Sequence, residues 1–344
     1  MAKKDKPKFN YSAELKAMQE QGPERLYFLS GPEDYLRECY LAELRKRCGV
    51  TEDDFGFRRI SGPTVAMNEL AEAVDAMPFF SEHSIVEVRD FDASRCKDAE
   101  CDRLKAILAD IPDYCTLVFV FTAAAEPDGR TAAVKALKKA ARVLEFTEQE
   151  QGALTRWVQN RFRSLGKAVS PADAEYLIFL SGTRMSGLIP EIEKVAAYVG
   201  GEQVSRADID ATATRIPEAD VFTMTDLISR RQFDGAAGLL SDLLSDKNNH
   251  PILLNALISQ QFRRMYAVKA GQAAGRSRSD LMELCGVRYD FIFDKLTAAA
   301  KPYSEKQLGN IVKLCAEYDY RMKSTGLDAG LLLRELFARI AAGE

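Results

Sequence analysis

Histidine and tryptophan are nearly missing from this 344-residue chain, which holds two of the first, His83 and His250, and one of the second. So little histidine excludes most arrangements of a nucleophile beside an imidazole base. Cysteine is present but unorganised: the seven, scattered from Cys39 to Cys315, form no CxxC pair and no Cys/His cluster. Neither a zinc site nor a disulfide framework is supported, and Cys96 and Cys101, the closest pair, lack neighbours to complete four ligands and read as ordinary thiols. No apolar run approaches the roughly 18 to 20 residues that span a bilayer. The start, Met1-Ala2-Lys3-Lys4-Asp5-Lys6, leads into polar sequence rather than a signal-peptide core, so a cytoplasmic protein without a membrane partner is expected. Excess positive charge is missing too. The net charge is −4; residues 215–344 carry 18 Lys+Arg against 16 Asp+Glu and the rest 29 against 35, or +2 and −6. A dedicated duplex-binding domain draws its affinity from neutralising phosphates, so any DNA contact here is local or shared with partners.

What is present is an ordinary globular composition, 47% hydrophobic and 28% charged, at a length that implies two or three domains. The first 150 residues alternate strand-like and helix-like segments. Leu26 to Leu29, Phe57 to Ile60, Ile85 to Val88, Thr116 to Phe121 and Arg142 to Phe146 read as strands, with helices over Glu33 to Arg47 and Lys97 to Asp110. This βα alternation with an apolar central strand predicts a parallel α/β sheet. Beyond about residue 150 the strand signal disappears and the rest reads as helical. Helices over Gly152 to Leu165, Pro171 to Leu180, Leu188 to Val199 and Arg206 to Ala213 make a small bundle, with Gly166, Gly182 and Gly200-Gly201 as stops. Thr214 to Asp220 reads as a linker because Pro217 interrupts any helix. Five or six amphipathic helices follow, the clearest over Pro251 to Val268, where Leu254, Leu257, Ile258, Gln261, Phe262 and Met265 share one stripe. The fold class is therefore α/β plus all-α, with no internal repeat.

Two places bear on function. The turn after the first strand, Ser30-Gly31-Pro32-Glu33-Asp34, sits where an α/β nucleotide-binding domain places its phosphate loop. It lacks the second glycine, the Lys and the Ser/Thr that such a cradle needs, and Glu33 and Asp34 would repel a triphosphate. Both acids read instead as complements to a helix dipole. The third strand ends Val88-Arg89-Asp90-Phe91 without paired acids for a metal-bound water. No cofactor, metal or catalytic residue is expected. The second place is Met67, Leu70, Val74 and Met77, spaced as one helix face that Pro78 ends, just before Phe79-Phe80. Two readings stand open: both phenylalanines pack under the sheet, or they form an exposed apolar wedge that enters a partner's pocket.

Leu26-Tyr27-Phe28-Leu29-Ser30-Gly31-Pro32-Glu33-Asp34-Tyr35-Leu36 and Ala76-Met77-Pro78-Phe79-Phe80-Ser81 resemble the delta subunit of DNA polymerase III. Leu188, Glu191, Glu193 and Lys194 match its lid-helix pattern, Ile252 to Val268 with Gln261-Phe262-Arg263-Arg264 its first long collar helix, and Asp319 to Lys323 its penultimate motif. The resemblance covers essentially the whole chain. It implies a degenerate AAA+ module, with an α/β domain over 1–148 and a helical lid over 149–214, then a helical collar over 215–344. It further implies binding to the beta sliding clamp through Met77, Phe79 and Phe80, with Phe where Leu is common at the first wedge position. Delta-prime and gamma/tau subunits are the implied partners through the collar, with primer-template DNA met as part of the complex and no catalysis by this chain. Ser94-Arg95-Cys96 is similar to the arginine-finger tripeptide of clamp-loader ATPases but lies before the fourth strand instead of after it, a coincidence. The alternatives are another clamp-loader subunit, delta-prime or gamma/tau-like, whose zinc module and phosphate loop have no counterpart here, and a helical DNA-binding scaffold, which the neutral charge disfavours.

Overall fold

The apolar segments of the first 150 residues become five parallel strands in the computed structural model, which describes residues 9–79, 81–125 and 127–343. Met1 to Lys6 and Phe80 lie outside the described residues. The chain divides into two units, one running through Glu150 and including Arg184–Ile189, the other made of Gln151–Thr183 and Pro190–Glu344.

In the first unit the order is α1 (Tyr11–Gln21), β1 (Leu26–Ser30), α2 (Asp34–Arg47), β2 (Phe57–Ser61), α3 (Met67–Asp75), β3 (Ser84–Arg89), α4 (Asp98–Ala109), β4 (Cys115–Val120), α5 (Ala132–Ala140) and β5 (Arg142–Glu145). The sheet order is β2-β3-β4-β1-β5, every pair parallel. Both β1 and β4 are buried at every position, as strands covered on two faces must be. On one face Phe28, Val86, Leu117 and Phe119 meet Leu70 and Val74 of α3, Leu104 of α4 and Leu137 of α5. On the other, Tyr40 of α2 stacks edge-on against Tyr27 and Phe146. Because the chain leaves β1 for the far edge and later returns across it to β5, the turn after β1 lies at the switch point where such sheets open a crevice.

The second unit contains α6 (Gln151–Ser164), β6 (Ala168–Val169), α7 (Pro171–Ser181), most of α8 (Met185–Tyr198), β7 (Gln203–Val204), α9 (Arg206–Thr212), α10 (Pro217–Ser229), α11 (Phe233–Ser245), α12 (Pro251–Ala273), α13 (Arg278–Cys285), α14 (Asp290–Ala300), α15 (Glu305–Ser324) and α16 (Ala329–Ala342). Leu254, Ile258, Gln261, Phe262 and Met265 form the buried stripe of α12 that the sequence periodicity predicts. Four features differ from expectation. The region is not wholly helical, since β6 and β7 pair in parallel; two residues are too few to carry a period. Helix α8 starts at Met185, ahead of Leu188. Pro217 opens α10 at its first turn, where a missing N–H costs nothing, so it shortens the linker instead of interrupting it. Seven helices, not five or six, follow it among the described residues. No helix among the described residues is long and apolar enough to cross a membrane.

Candidate functional site

At the switch point the chain's own atoms fill the crevice. Gly31 takes φ +108, and a Cβ there would press into the Phe146 backbone inside van der Waals contact, so only glycine fits. The Phe146 N–H donates to the Ser30 carbonyl (2.7 Å) and the Phe146 carbonyl accepts the Glu33 N–H (3.0 Å), which turns a loop donor toward β5. Arg37, buried despite its charge, donates to the Gly31 carbonyl (2.9 Å) and to the Asp34 carboxylate. A guanidinium thus stands inside the loop that would otherwise face an anion.

Glu33 stands at the N-cap of α2, where the sequence places it, and also reaches a second helix. Oε2 accepts the Met185 N–H at the start of α8 (3.4 Å), and Oε1 has no hydrogen-bond partner. Burial raises its pKa above the ordinary carboxylate value. It serves an orphan donor at a helix N-terminus, but of a helix about 150 residues away in sequence, a distance no local pattern reveals. Asp90, at the end of β3, sits at φ 54 and accepts both the N–H (2.8 Å) and the hydroxyl (3.1 Å) of Thr122. The Arg95 of Ser94-Arg95-Cys96 lies in a 3₁₀ turn, paired with Asp92 (2.9 Å). Among the described residues no group of three or more His, Cys, Asp or Glu side chains is placed to hold a metal.

The second place is an apolar protrusion. Met67, Leu70 and Val74 are buried as one face of α3, but that helix ends at Asp75 and Ala76 is already extended (φ −64, ψ 116). Met77 is therefore not the last member of the stripe: it is 70% exposed. Pro78 disfavours the helical region for the residue before it, so the helix stops ahead of Met77 instead of at Pro78. The end is pinned, because the Tyr114 hydroxyl donates to the Asp75 carbonyl (2.9 Å). Phe79 is 91% exposed and does not pack under the sheet. Beyond it the chain is anchored again: the Ser81 hydroxyl donates to the His83 carbonyl (2.7 Å), His83 Nε2 bonds Thr116 Oγ1 (2.9 Å), and the Ser84 N–H donates to the Tyr114 carbonyl (2.7 Å). Met77 and Phe79 thus ride a short segment held at both ends. Of the three wedge residues expected, the structure brings these two to the surface together. A further aromatic, Phe55, is 89% exposed on the turn before β2, and the sequence reading passed over it. Its signal was there, a Phe directly after the acidic run Glu52-Asp53-Asp54 and before Gly56.

Comparison with known proteins bears on both places. Residues 27–147 match the family model for DNA polymerase III, delta subunit, and residues 218–340 match the model for its C-terminal domain. The chain is 27% identical over 321 residues to DNA polymerase III subunit delta of Bacillus subtilis (strain 168), with 91% of each chain covered. It is 22% identical over 320 residues to the probable DNA polymerase III subunit delta of Aquifex aeolicus (strain VF5), covering 91% of this chain and 90% of that one. The solved Bacillus subtilis DNA clamp loader delta protein superposes with a TM-score of 0.51 at 23% identity, covering 97% of this chain and 100% of that chain. The fold is shared with that solved protein, a parallel α/β module continued by helices. The chain belongs to the DNA polymerase III delta subunit family, and among the alternatives raised by the sequence this selects delta over delta-prime and the motor.

Proposed function

We propose that this chain binds the ring-shaped beta sliding clamp and holds one of its interfaces open, so that the ring can be placed on primed DNA during replication. The observation that carries the reading is the protrusion: Met77 and Phe79 stand in solvent on a segment fixed at both ends, in a member of the delta family. Apolar side chains on a rigid support suit insertion into a pocket, because little conformational freedom is lost on docking. Phe80, next in sequence, completes the wedge in this reading. Together Met77 and Phe79 would bury on the order of 300 Å², worth several kcal/mol before association costs.

The same reading assigns no chemistry to the chain itself. Arg37 inside the loop and the Glu33 N–H turned to Phe146 support a module that takes no nucleotide, so ATP acts through sister subunits. Residues 1–148 would present the wedge, 149–214 would be the lid, and 215–344 would assemble with delta-prime and gamma/tau subunits around primer-template DNA in the cytoplasm. Purified beta clamp on a biosensor surface tests the central claim. Phe79→Ala should weaken binding about tenfold, and Phe79→Ala with Phe80→Ala about a hundredfold. The thermal midpoint of Phe79→Ala should stay within a degree or two, since an exposed side chain leaves no cavity. Absence of clamp binding by the wild-type chain, or equal binding by the double variant, would sink the reading.

A further inference from the structure

A cleft of about 390 Å³ in the second unit is lined from α7, α10, α11 and α14 and shares no residue with the protrusion that carries Met77 and Phe79. That volume lies within the roughly 300 to 1,000 Å³ in which proteins seat ligands. Its apolar wall is Tyr176, Phe179, Phe222 and Leu239. The rings hold one another in place: Phe179 meets Phe222 edge-on (5.3 Å between centroids) and Phe291 likewise (5.8 Å), and the Arg206 guanidinium lies over the Tyr176 ring (4.2 Å). The Tyr176 hydroxyl donates to Asp210 (2.6 Å), so its polar end is already satisfied. The wall therefore exists before any occupant arrives, and little order has to be created on binding.

The charges of the lining divide into a pair already joined and a pair left open. Arg215 donates to Asp220 (2.5 Å) and to the Thr223 hydroxyl (2.8 Å), which leaves that part of the cleft neutral. Lys295 and Asp242 are exposed, and neither side chain has an ion-pair or hydrogen-bond partner among the described residues. A polyanion such as a nucleotide would find a single unpaired cation in the lining, with the Asp242 carboxylate set against it. A wholly apolar segment would strip water from both charges and pair neither. What matches the lining is a large apolar side chain accompanied by one acidic group for Lys295 and one basic group for Asp242.

We propose that this cleft is a docking site for a short linear segment of a partner protein, in which an aromatic or large aliphatic residue is flanked by one acidic and one basic residue. The apolar residue packs against Phe179, Phe222 and Leu239, while Lys295 and Asp242 select the flanking charges. The proposal does not depend on the clamp-binding reading.

The test uses the full chain and two tripeptides, Glu-Phe-Lys and its reverse Lys-Phe-Glu, blocked at both ends, carrying a fluorinated phenylalanine and followed by fluorine NMR. At least one of them should bind saturably. Leu239→Trp, which fills the cleft, should weaken that binding about tenfold at an unchanged thermal midpoint. Lys295→Glu should weaken it about fivefold, and exchanging the peptide's Glu for Lys should recover the loss in this variant while weakening binding to the wild type. Failure of both peptides to bind the wild-type chain at millimolar concentration overturns the proposal. Binding by folded Leu239→Trp within about twofold of wild type also overturns it, since the peptide then sits elsewhere. The Lys295→Glu exchange is made on an exposed side chain and decides the matter even where Leu239→Trp fails to fold: affinity indifferent to it and to the peptide's charge overturns the match of charges. Free fluorinated phenylalanine binding as tightly as the tripeptides overturns the peptide assignment and makes the occupant a small amphipathic molecule.

Discussion

Glu87→Gln should unfold the β2-β3 edge of the sheet at a markedly lower temperature. Glu87 lies in β3 with its side chain 1% exposed, and three guanidinium groups converge on it: Arg45 from α2 (3.3 Å), Arg59 from β2 (3.3 Å) and Arg89 from its own strand. Arg89 continues to Glu38 of α2 (2.8 Å), and Glu52 ties Arg45 to Arg59. The guanidinium groups of Arg45 and Arg59 also face the Phe57 ring, at 5.7 and 5.1 Å. Charges thus join helix α2 to the β2-β3 edge of the sheet. Removing the central carboxylate leaves partly buried cations opposite a buried amide whose N–H groups point the wrong way, and breaking a buried pair on one side costs about 3 to 5 kcal/mol. Because Glu38 and Glu52 still hold the arginines, the lower end applies, about 3 kcal/mol. For a unit of roughly 150 residues that is a fall of about 6 to 12 °C in the melting midpoint. Differential scanning calorimetry measures the fall, and hydrogen exchange should locate it by faster exchange along Phe57–Ser61, the strand opposite Glu87. A midpoint shift under about 2 °C would refute the reasoning, and the network would then count no more than surface ion pairs do.

Gly31→Ala should destabilise the first unit by about 3 kcal/mol or more, because the backbone at φ +108 is strained for any side chain and the Phe146 carbonyl cannot withdraw without breaking its bond to Glu33; denaturant titration checks this, and a change under about 1 kcal/mol would show that the loop relaxes freely. Glu33 makes a pH prediction with a definite sign. Its pKa is raised in the folded state, so between the ordinary carboxylate value and the raised one the folded chain keeps a proton that the unfolded chain has released. Stability therefore falls as pH rises through that window, at up to about 1.4 kcal/mol per pH unit, and levels off above it. Subtracting the Glu33→Gln profile from that of the wild type should isolate this slope, and parallel profiles would show that Oε1 is solvated after all.

How legible each part was follows from the range of the contacts involved. The five strands were readable because β1 and β4 are continuous apolar runs, and the stripe of α12 because a helix of 23 residues gives a period time to repeat. The two-residue strands β6 and β7 carry no such signal, being defined only by their pairing across more than thirty residues. Met77 was misplaced for a different reason. It continues the spacing of Met67, Leu70 and Val74, but the steric demand of Pro78 on its predecessor and the bond from Tyr114 override the pattern. The missing phosphate-loop residues were plain in the sequence, whereas the bond from buried Arg37 to the Gly31 carbonyl was not. Arg37 reads as one more surface charge until α2 is docked on the sheet.

On the proposed function, a chain without hydrolytic chemistry can open a ring only by preferring the open form. Shifting a closed ring from one per cent open to ninety-nine per cent open takes a differential affinity of about 5.5 kcal/mol. About 300 Å² of apolar contact from Met77 and Phe79 supplies roughly 7 kcal/mol before association costs, so nearly all of it would have to be realised only against the open interface. Contacts made equally with open and closed rings would tighten binding and open nothing. This is the energetic ground for a rigid protrusion: a flexible one would adapt to either form and lose the difference. Tyr114 holding Asp75, His83 bonded to Thr116 and the ion network around Glu87 all limit that adaptation. Loosening any of them should therefore reduce clamp opening more than clamp binding, and a fluorescence assay of ring opening set beside the biosensor affinity separates the two. Equal losses in both would mean that the wedge acts as a tether and not as a lever.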